Sequence, residues 1–184
     1  GEHVAWMGGS RDYARPGKQV GYVLRVASVT GKMWDVPQVR DEIRTPIWSR
    51  DGSRVWAIGK RGRNERCLFS VELSTRAVDA LHCFDGLLDP MLSPDGNRML
   101  LMLSPDGGSE AREVVLLDLK SGLEEGRFSV PGATGMGRFG EWIDNQTAVF
   151  FARADSALQI IRPSTGEILH EVDLSNAGEI RGRL

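Results

Sequence analysis

The chain is poor in the side chains that build metal centres, with two cysteines and three histidines among 184 residues. His3, His82 and His170 are scattered, and no cysteine or carboxylate recurs beside them at ligand spacing. Neither a metal site nor a cofactor is therefore expected. Two cysteines also fall short of a disulfide-built scaffold. No apolar run is long enough to span a bilayer, and no secretory leader opens the sequence. Neither sign of charge prevails. A formal net charge of −2 supplies no general attraction to nucleic acid or to an acidic membrane, so neither is expected as a partner. No stretch of ten or more residues carries a helical period. What remains reads as a soluble, turn-rich chain with 22 glycines and 8 prolines, of the cytoplasm or the periplasm.

One short phrase recurs. Ser49-Arg50-Asp51-Gly52 precedes the run Arg54-Val55-Trp56-Ala57-Ile58, and Ser93-Pro94-Asp95-Gly96 precedes Arg98-Met99-Leu100-Leu101-Met102. A degraded copy, Trp142-Ile143-Asp144-Asn145, precedes Thr147-Ala148-Val149-Phe150-Phe151. Gly1 before His3-Val4-Ala5-Trp6 reads as a further copy whose Ser-x-Asp is missing. A second phrase, a hydrophobic run that ends in a tight corner, keeps step with the first. Its corners fall at Gly31, Arg76, Gly122 and Gly166, about 45 residues apart.

Asp-Gly and Asp-Asn supply the positive φ angles of tight hairpin turns. The flanking runs are short and rich in β-branched and aromatic residues, as strands require. In the second unit the strands are predicted at roughly Thr45 to Ser49, Arg54 to Ile58, Cys67 to Leu73 and Ala77 to His82. Four antiparallel strands per repeat of this length make the blade of a β-propeller. The expected fold is all-β: a single partial propeller domain over 1–184, with about four blades of four antiparallel strands. Its units fall at approximately 1–43, 44–88, 89–137 and 138–174, and 175–184 leads into a further blade. Free-standing propellers usually close with more blades, so the chain reads as an excerpt of a larger ring.

Two further strings have simpler explanations than their chemistry. Gly135-Met136-Gly137-Arg138-Phe139-Gly140 fits a dinucleotide fingerprint, but a strand and a turn follow it where a helix is needed. Its glycines suit a connection between blades. Ser49-Arg50-Asp51-Gly52-Ser53-Arg54-Val55-Trp56 nearly matches the turn box of sialidase-like propellers, with Ser53 where that box has glycine. It reads as a hairpin with a packed tryptophan.

Basic residues cluster in the loops between second and third strands. Arg11 and Arg15 share the first such loop with Tyr13, and Lys60, Arg61, Arg63 and Arg66 occupy the second. In a propeller these loops share one rim. They are the candidate binding residues, suited to a carboxylate, a phosphate or an acidic partner surface. The ordinary alternative is a solvated rim. Cys67 and Cys83 fall opposite each other on adjacent strands if the third hairpin turns near Thr75. That brings them within disulfide reach, although a reduced pair is the expectation without an oxidising compartment.

The stretches Pro46-Ile47-Trp48-Ser49-Arg50-Asp51-Gly52 and Met91-Leu92-Ser93-Pro94-Asp95-Gly96 resemble the WD40-like repeats of TolB-type propellers. They are also similar to the propeller of the prolyl oligopeptidase family of serine peptidases. The resemblance is specific for fold and unspecific for function. It implies two readings. In the first, the chain is the noncatalytic propeller of such a peptidase, gating substrate by size and binding peptide beside a hydrolase domain of the same parent chain. In the second, it is a TolB-like or WD40-like interaction propeller with no enzyme attached, whose rim takes a peptide or protein. Nothing in the sequence supplies a nucleophile elbow. Gly107-Gly108-Ser109-Glu110-Ala111 lacks the closing glycine, so no catalytic residue is assigned. A propeller hydrolase with inward metal ligands is disfavoured, because Glu42, Asp89 and Glu141 share no register.

Overall fold

A computed structural model describes residues 2–11, 19–40, 46–61, 65–104, 112–130, 140–152 and 157–175. Among the described residues every regular element is a β-strand, and the strands form four antiparallel sheets. The first sheet has three strands: β1 (His3–Arg11), β2 (Gln19–Ser28) and β3 (Met33–Arg40). The second has β4 (Ile47–Trp48), β5 (Arg54–Arg61), β6 (Glu65–Glu72) and β7 (Val78–Asp85). The third has β8 (Leu87–Leu92), β9 (Arg98–Ser104), β10 (Arg112–Asp118) and β11 (Glu124–Val130). The fourth has β12 (Gly140–Trp142), β13 (Ala148–Ala152), β14 (Ala157–Arg162) and β15 (Glu167–Asp173). Each sheet is a meander in which neighbours in sequence are neighbours in space. The first sheet departs from the expected four strands, its β1 standing where the others have their second strand.

The chain divides into two compact units, Gly1–Asp85 and Gly86–Leu184. In the first, Leu24, Val26 and Val36 of one sheet pack with Val55, Phe69 and Val71 of the next. In the second, Leu100, Val114 and Leu116 pack with Trp142, Phe150 and Ile161. The middle strands of the second and third sheets are buried on both faces. Val55 to Ile58, Cys67 to Val71, Met99 to Leu103 and Val114 to Leu117 run without an exposed residue. That is why the sequence shows continuous apolar runs there rather than alternation. The last strands face water, and β15 is exposed at most positions. Close approach of sheets needs glycine at one point. A Cβ on Gly59 would lie 2.9 Å from both the Phe69 ring and the Val39 backbone.

The recurring Ser-x-Asp-Gly phrase is a hydrogen-bonded knot. The Ser93 hydroxyl donates to Asp95 Oδ1 at 2.6 Å and accepts from the Arg98 N–H at 2.9 Å. Ser49 does the same with Asp51 and Arg54, at 2.7 and 2.9 Å. Gly52 and Gly96, at φ 70° and 78°, turn the chain back. In the degraded copy Asp144 acts alone, accepting from the N–H groups of Gln146 and Thr147.

The knot is tied to the second corner of its own sheet. Leu73 N–H donates to Ser53 O and Leu119 N–H to Asn97 O. Val29 N–H donates to Glu2 O in the same way, which places Glu2 and His3 at the positions of Ser53 and Arg54. Pro163 holds the corresponding place in the fourth sheet and has no N–H to give. The second corners are left-handed, at φ 82° for Gly31, 71° for Gly122 and 72° for Gly166. Arg76 adopts the same conformation at φ 61°, where a side chain costs about 1–2 kcal/mol.

A bulge interrupts the last strand of every sheet. Leu68 faces His82 while Phe69 faces Ala80, so Leu81 is the extra residue in β7. The extra residues of β11 and β15 are Glu125 and Leu169, both nearer their corner than Leu81 is. In β3 the break takes Pro37, Gln38 and Val39.

Ser93 is 3% exposed, so Ser93→Ala leaves the Arg98 N–H without its acceptor. The expected loss is about 1–2 kcal/mol, read as a Tm several degrees below the parent, while the exposed Ser74→Ala stays within a degree. The turn carboxylates also predict acid lability. Asp51 is held down to about 2, first by the Ser49 hydroxyl and then by Ser53. Asp95 is lowered chiefly by the Ser93 hydroxyl, and Asp144 by the Gln146 N–H. A carboxylate depressed in the folded state gives its full stabilisation above the unfolded value of about 3.9, and loses it as pH falls toward 2. Melting temperature should drop through that window, and Asp51→Asn/Asp95→Asn should show a shallower slope there.

Candidate functional site

The β5–β6 hairpin carries the basic residues singled out in the sequence. Lys60 pairs with Arg66 across the two strands, and Arg61 with Glu65. Alternation along the strands puts Lys60 and Arg66 on one face and Arg61 and Glu65 on the other. Arg61 Nε lies 3.7 Å from Glu65 Oε2, and the two side chains are 66% and 45% exposed. An ion pair this open contributes little to stability. The structure thus brings Lys60, Arg61 and Arg66 to one end of the second sheet. Arg63, Tyr13 and Arg15 lie outside the described residues. Arg11 ends β1 opposite Gln19.

Beneath the hairpin tip, Cys67 of β6 and Cys83 of β7 are joined in a disulfide with Cα atoms 4.0 Å apart. This corrects the expectation of a reduced pair. The bulge at Leu81 makes the pairing possible: the register set near the turn, where Val71 faces Val78, would have put His82 opposite Cys67. Arg61 Nη1 approaches Cys83 Sγ at 3.8 Å. The Glu65 carboxylate and the two sulfurs lie within 4.8 Å of one another. Sulfurs bonded to each other present no thiolate, so in this state the trio is not a metal-binding set.

Other singled-out residues take structural places. Trp56 is 5% exposed and faces Ile47 across the β4–β5 pair. Gly140 opens β12, where a Cβ would stand 2.8 Å from the Phe150 ring. The rest of the 135–140 glycine string lies outside the described residues, as do Glu42 and Ser109.

Sequence reasoning passed over two arrangements. In the second unit, Asn145 holds the place of the turn glycine. Its side-chain carbonyl accepts from Asp95 N–H at 2.9 Å, and its backbone carbonyl accepts from Arg98. The departure from Asp-Gly is therefore what joins two neighbouring turns, with Trp142 Nε1 donating to Met91 O at 3.0 Å beside it. In the first unit, the Arg76 guanidinium sits 4.6 Å above the Trp34 ring, with His3 edge-on to that ring at 5.8 Å. The signal was present in the sequence: an arginine at a corner that the other repeats give to glycine.

No family model and no curated protein matches the chain. Solved structures do. TolB from Acinetobacter baumannii superposes with a TM-score of 0.59 at 19% identity, over 91% of this chain and 40% of its own. An acylaminoacyl peptidase from Pyrococcus horikoshii gives 0.65 at 13% identity, over 95% of this chain and 31% of its own. The β-propeller domain of the Trilobed protease from Pyrococcus furiosus gives 0.66 at 12% identity, over 92% and 54%. The chain has the TolB-like and peptidase-type propeller fold. It is a partial propeller, spanning between 31% and 54% of the length of these three structures, and its four sheets are blades.

The disulfide in the second blade yields a direct test. Thiol titration of the unfolded, unreduced chain should find no free sulfhydryl, and two after reduction. Cys67→Ala/Cys83→Ala should lower stability by about 2–3 kcal/mol, as expected for opening a cross-link of this loop length.

Proposed function

We propose that this chain is a noncatalytic propeller module acting as the substrate-gating and peptide-binding propeller of a prolyl oligopeptidase-like serine peptidase. The observation that carries the proposal is the match to peptidase propellers over more than nine-tenths of the chain, together with a basic hairpin end at the edge of a rigid blade. Sheets whose middle strands are buried form a wall that excludes folded proteins by sterics. Lys60, Arg61 and Arg66 offer ammonium and guanidinium groups to an acidic peptide or protein surface. Catalysis then belongs to a hydrolase domain of the same parent chain.

One observation favours the second reading, an interaction propeller with no enzyme attached. A cross-strand disulfide suits a protein that folds in an oxidising compartment, and an exported, TolB-like module presenting its rim to partner proteins meets that condition.

The full parent chain separates the two. A peptidase predicts a Gly-x-Ser-x-Gly element with Asp and His following, and labelling of one serine by a fluorophosphonate probe. A parent made only of further blades, with no labelling, overturns the gating proposal and leaves the interaction module. Within either, Lys60→Glu/Arg61→Glu/Arg66→Glu should weaken capture of an acidic peptide by at least about tenfold, or raise KM for one with kcat unchanged. Unchanged binding removes the hairpin from the site.

A further inference from the structure

A cleft of about 350 Å³ opens in the first unit between the β2–β3 corner and the β6–β7 corner, on residues distinct from the Lys60–Arg66 hairpin. Trp34, Leu73 and Val29 form apolar walls, and Lys32, Arg76, His3 and Glu2 bring charge and polarity. The volume lies within the range of small-ligand pockets.

The same inter-blade position recurs in the second unit and is filled differently. The equivalence is fixed by backbone bonds: Val29 N–H to Glu2 O in one unit, Leu119 N–H to Asn97 O in the other. In β11 Gly126 takes the register place of Trp34, and the bulge residue Glu125 beside it reaches Arg98, which stands where His3 stands. Glu125 and Arg98 form an ion pair at 3.9 Å, and Arg98 also donates to the Asn145 carbonyl. Arg162 beside them pairs with Glu167. Both of these arginines thus have carboxylate partners. In the first unit, neither Lys32 nor Arg76 has a carboxylate partner among the described residues.

Two further features are out of place in an inert corner. Arg76 is the one non-glycine residue with positive φ among the described residues. Its counterpart Gly166 has no room for a side chain, since a Cβ there would lie 2.6 Å from Phe128 Cβ. At Arg76 the neighbour is instead the Trp34 ring, with the guanidinium carbon 4.6 Å from the ring centroid. The Trp34 indole N–H is buried without an acceptor.

We propose that this cleft binds a carboxylate whose carbon skeleton is apolar, in the manner of the C-terminal residue of a peptide. The Arg76 fork and the Lys32 ammonium take the carboxylate, and Val29, Leu73 and Trp34 take the apolar group. Two cations against the single Glu2 carboxylate leave a surplus suited to a monoanion rather than to a phosphate dianion. The site goes beyond the function proposed above, and it holds whether or not a hydrolase domain accompanies the propeller.

The test is a titration of the full chain with acetyl-Gly-Gly-Phe as the free acid and as its C-terminal amide, followed by calorimetry and by the indole N–H resonances. The Trp34 resonance is assigned through Trp34→Phe. Saturable binding of the acid, at least tenfold tighter than the amide and with a shifted Trp34 signal, supports the site. Arg76→Gly and Lys32→Gln should each weaken the acid at least tenfold. Arg76→Gly places glycine where three sibling corners already have it, so a melting curve no lower than the parent's confirms that lost binding is not lost folding. Acetate binding tenfold or more below the peptide identifies peptide termini as the source of the carboxylate. Acetate binding equally well identifies small free carboxylates. Equal affinity for acid and amide, or unchanged affinity in both variants, overturns the proposal.

Discussion

One hydroxyl group holds each intact turn together. Ser49 and Ser93 each satisfy a carboxylate and a backbone N–H at once, which a hydroxyl can do and a methyl or a carboxylate cannot. That closure presents the carbonyls of Ser53 and Asn97 to the N–H groups of Leu73 and Leu119. The first hairpin of a blade is thereby joined to the second, and four short strands become one sheet. An isolated hairpin of two such strands is marginal in water. The apolar surface they carry is buried only because the corners fix which faces meet.

The blade plan was legible because its determinants are local. A turn that needs positive φ writes glycine into the sequence at most of these corners, and a doubly buried strand writes a continuous apolar run. Gly31, Gly122 and Gly166 therefore marked the corners, and Met99 to Leu103 marked a strand. The three-strand first sheet was not read in advance, since the repeat predicts four strands in each unit. The site was less legible. Lys60, Arg61 and Arg66 could be grouped because they are close in sequence. The Trp34–Arg76 stack and the Asn145 clamp join residues of different repeats, and a single sequence carries no record of which repeat faces which. The disulfide lay between these cases. Counting across the hairpin brought the cysteines together, but the bulge at Leu81 that the count silently required belongs to sheet geometry.

Comparison of the two units shows how one backbone plan accepts different chemistry. At the corner that faces a neighbouring blade, one unit has glycine packed against Phe128 and the other has arginine packed on Trp34. At the first turn, one copy uses glycine and another uses an asparagine whose side chain bonds to the adjacent turn. The substitutions fall at positions where blades meet, and the strands that fill the core keep their pattern.

The bulge in β7 has a topological result. Between the Val71–Val78 pair and the Cys67–Cys83 pair, the outer strand contains one residue more than its partner. A covalent bond at one end and a tight corner at the other leave that surplus nowhere to go. The outer strand cannot slide by a residue to pair in an alternative alignment, nor straighten into a flat edge that another chain would extend. Oxidation thus fixes the alignment of the exposed margin of this blade.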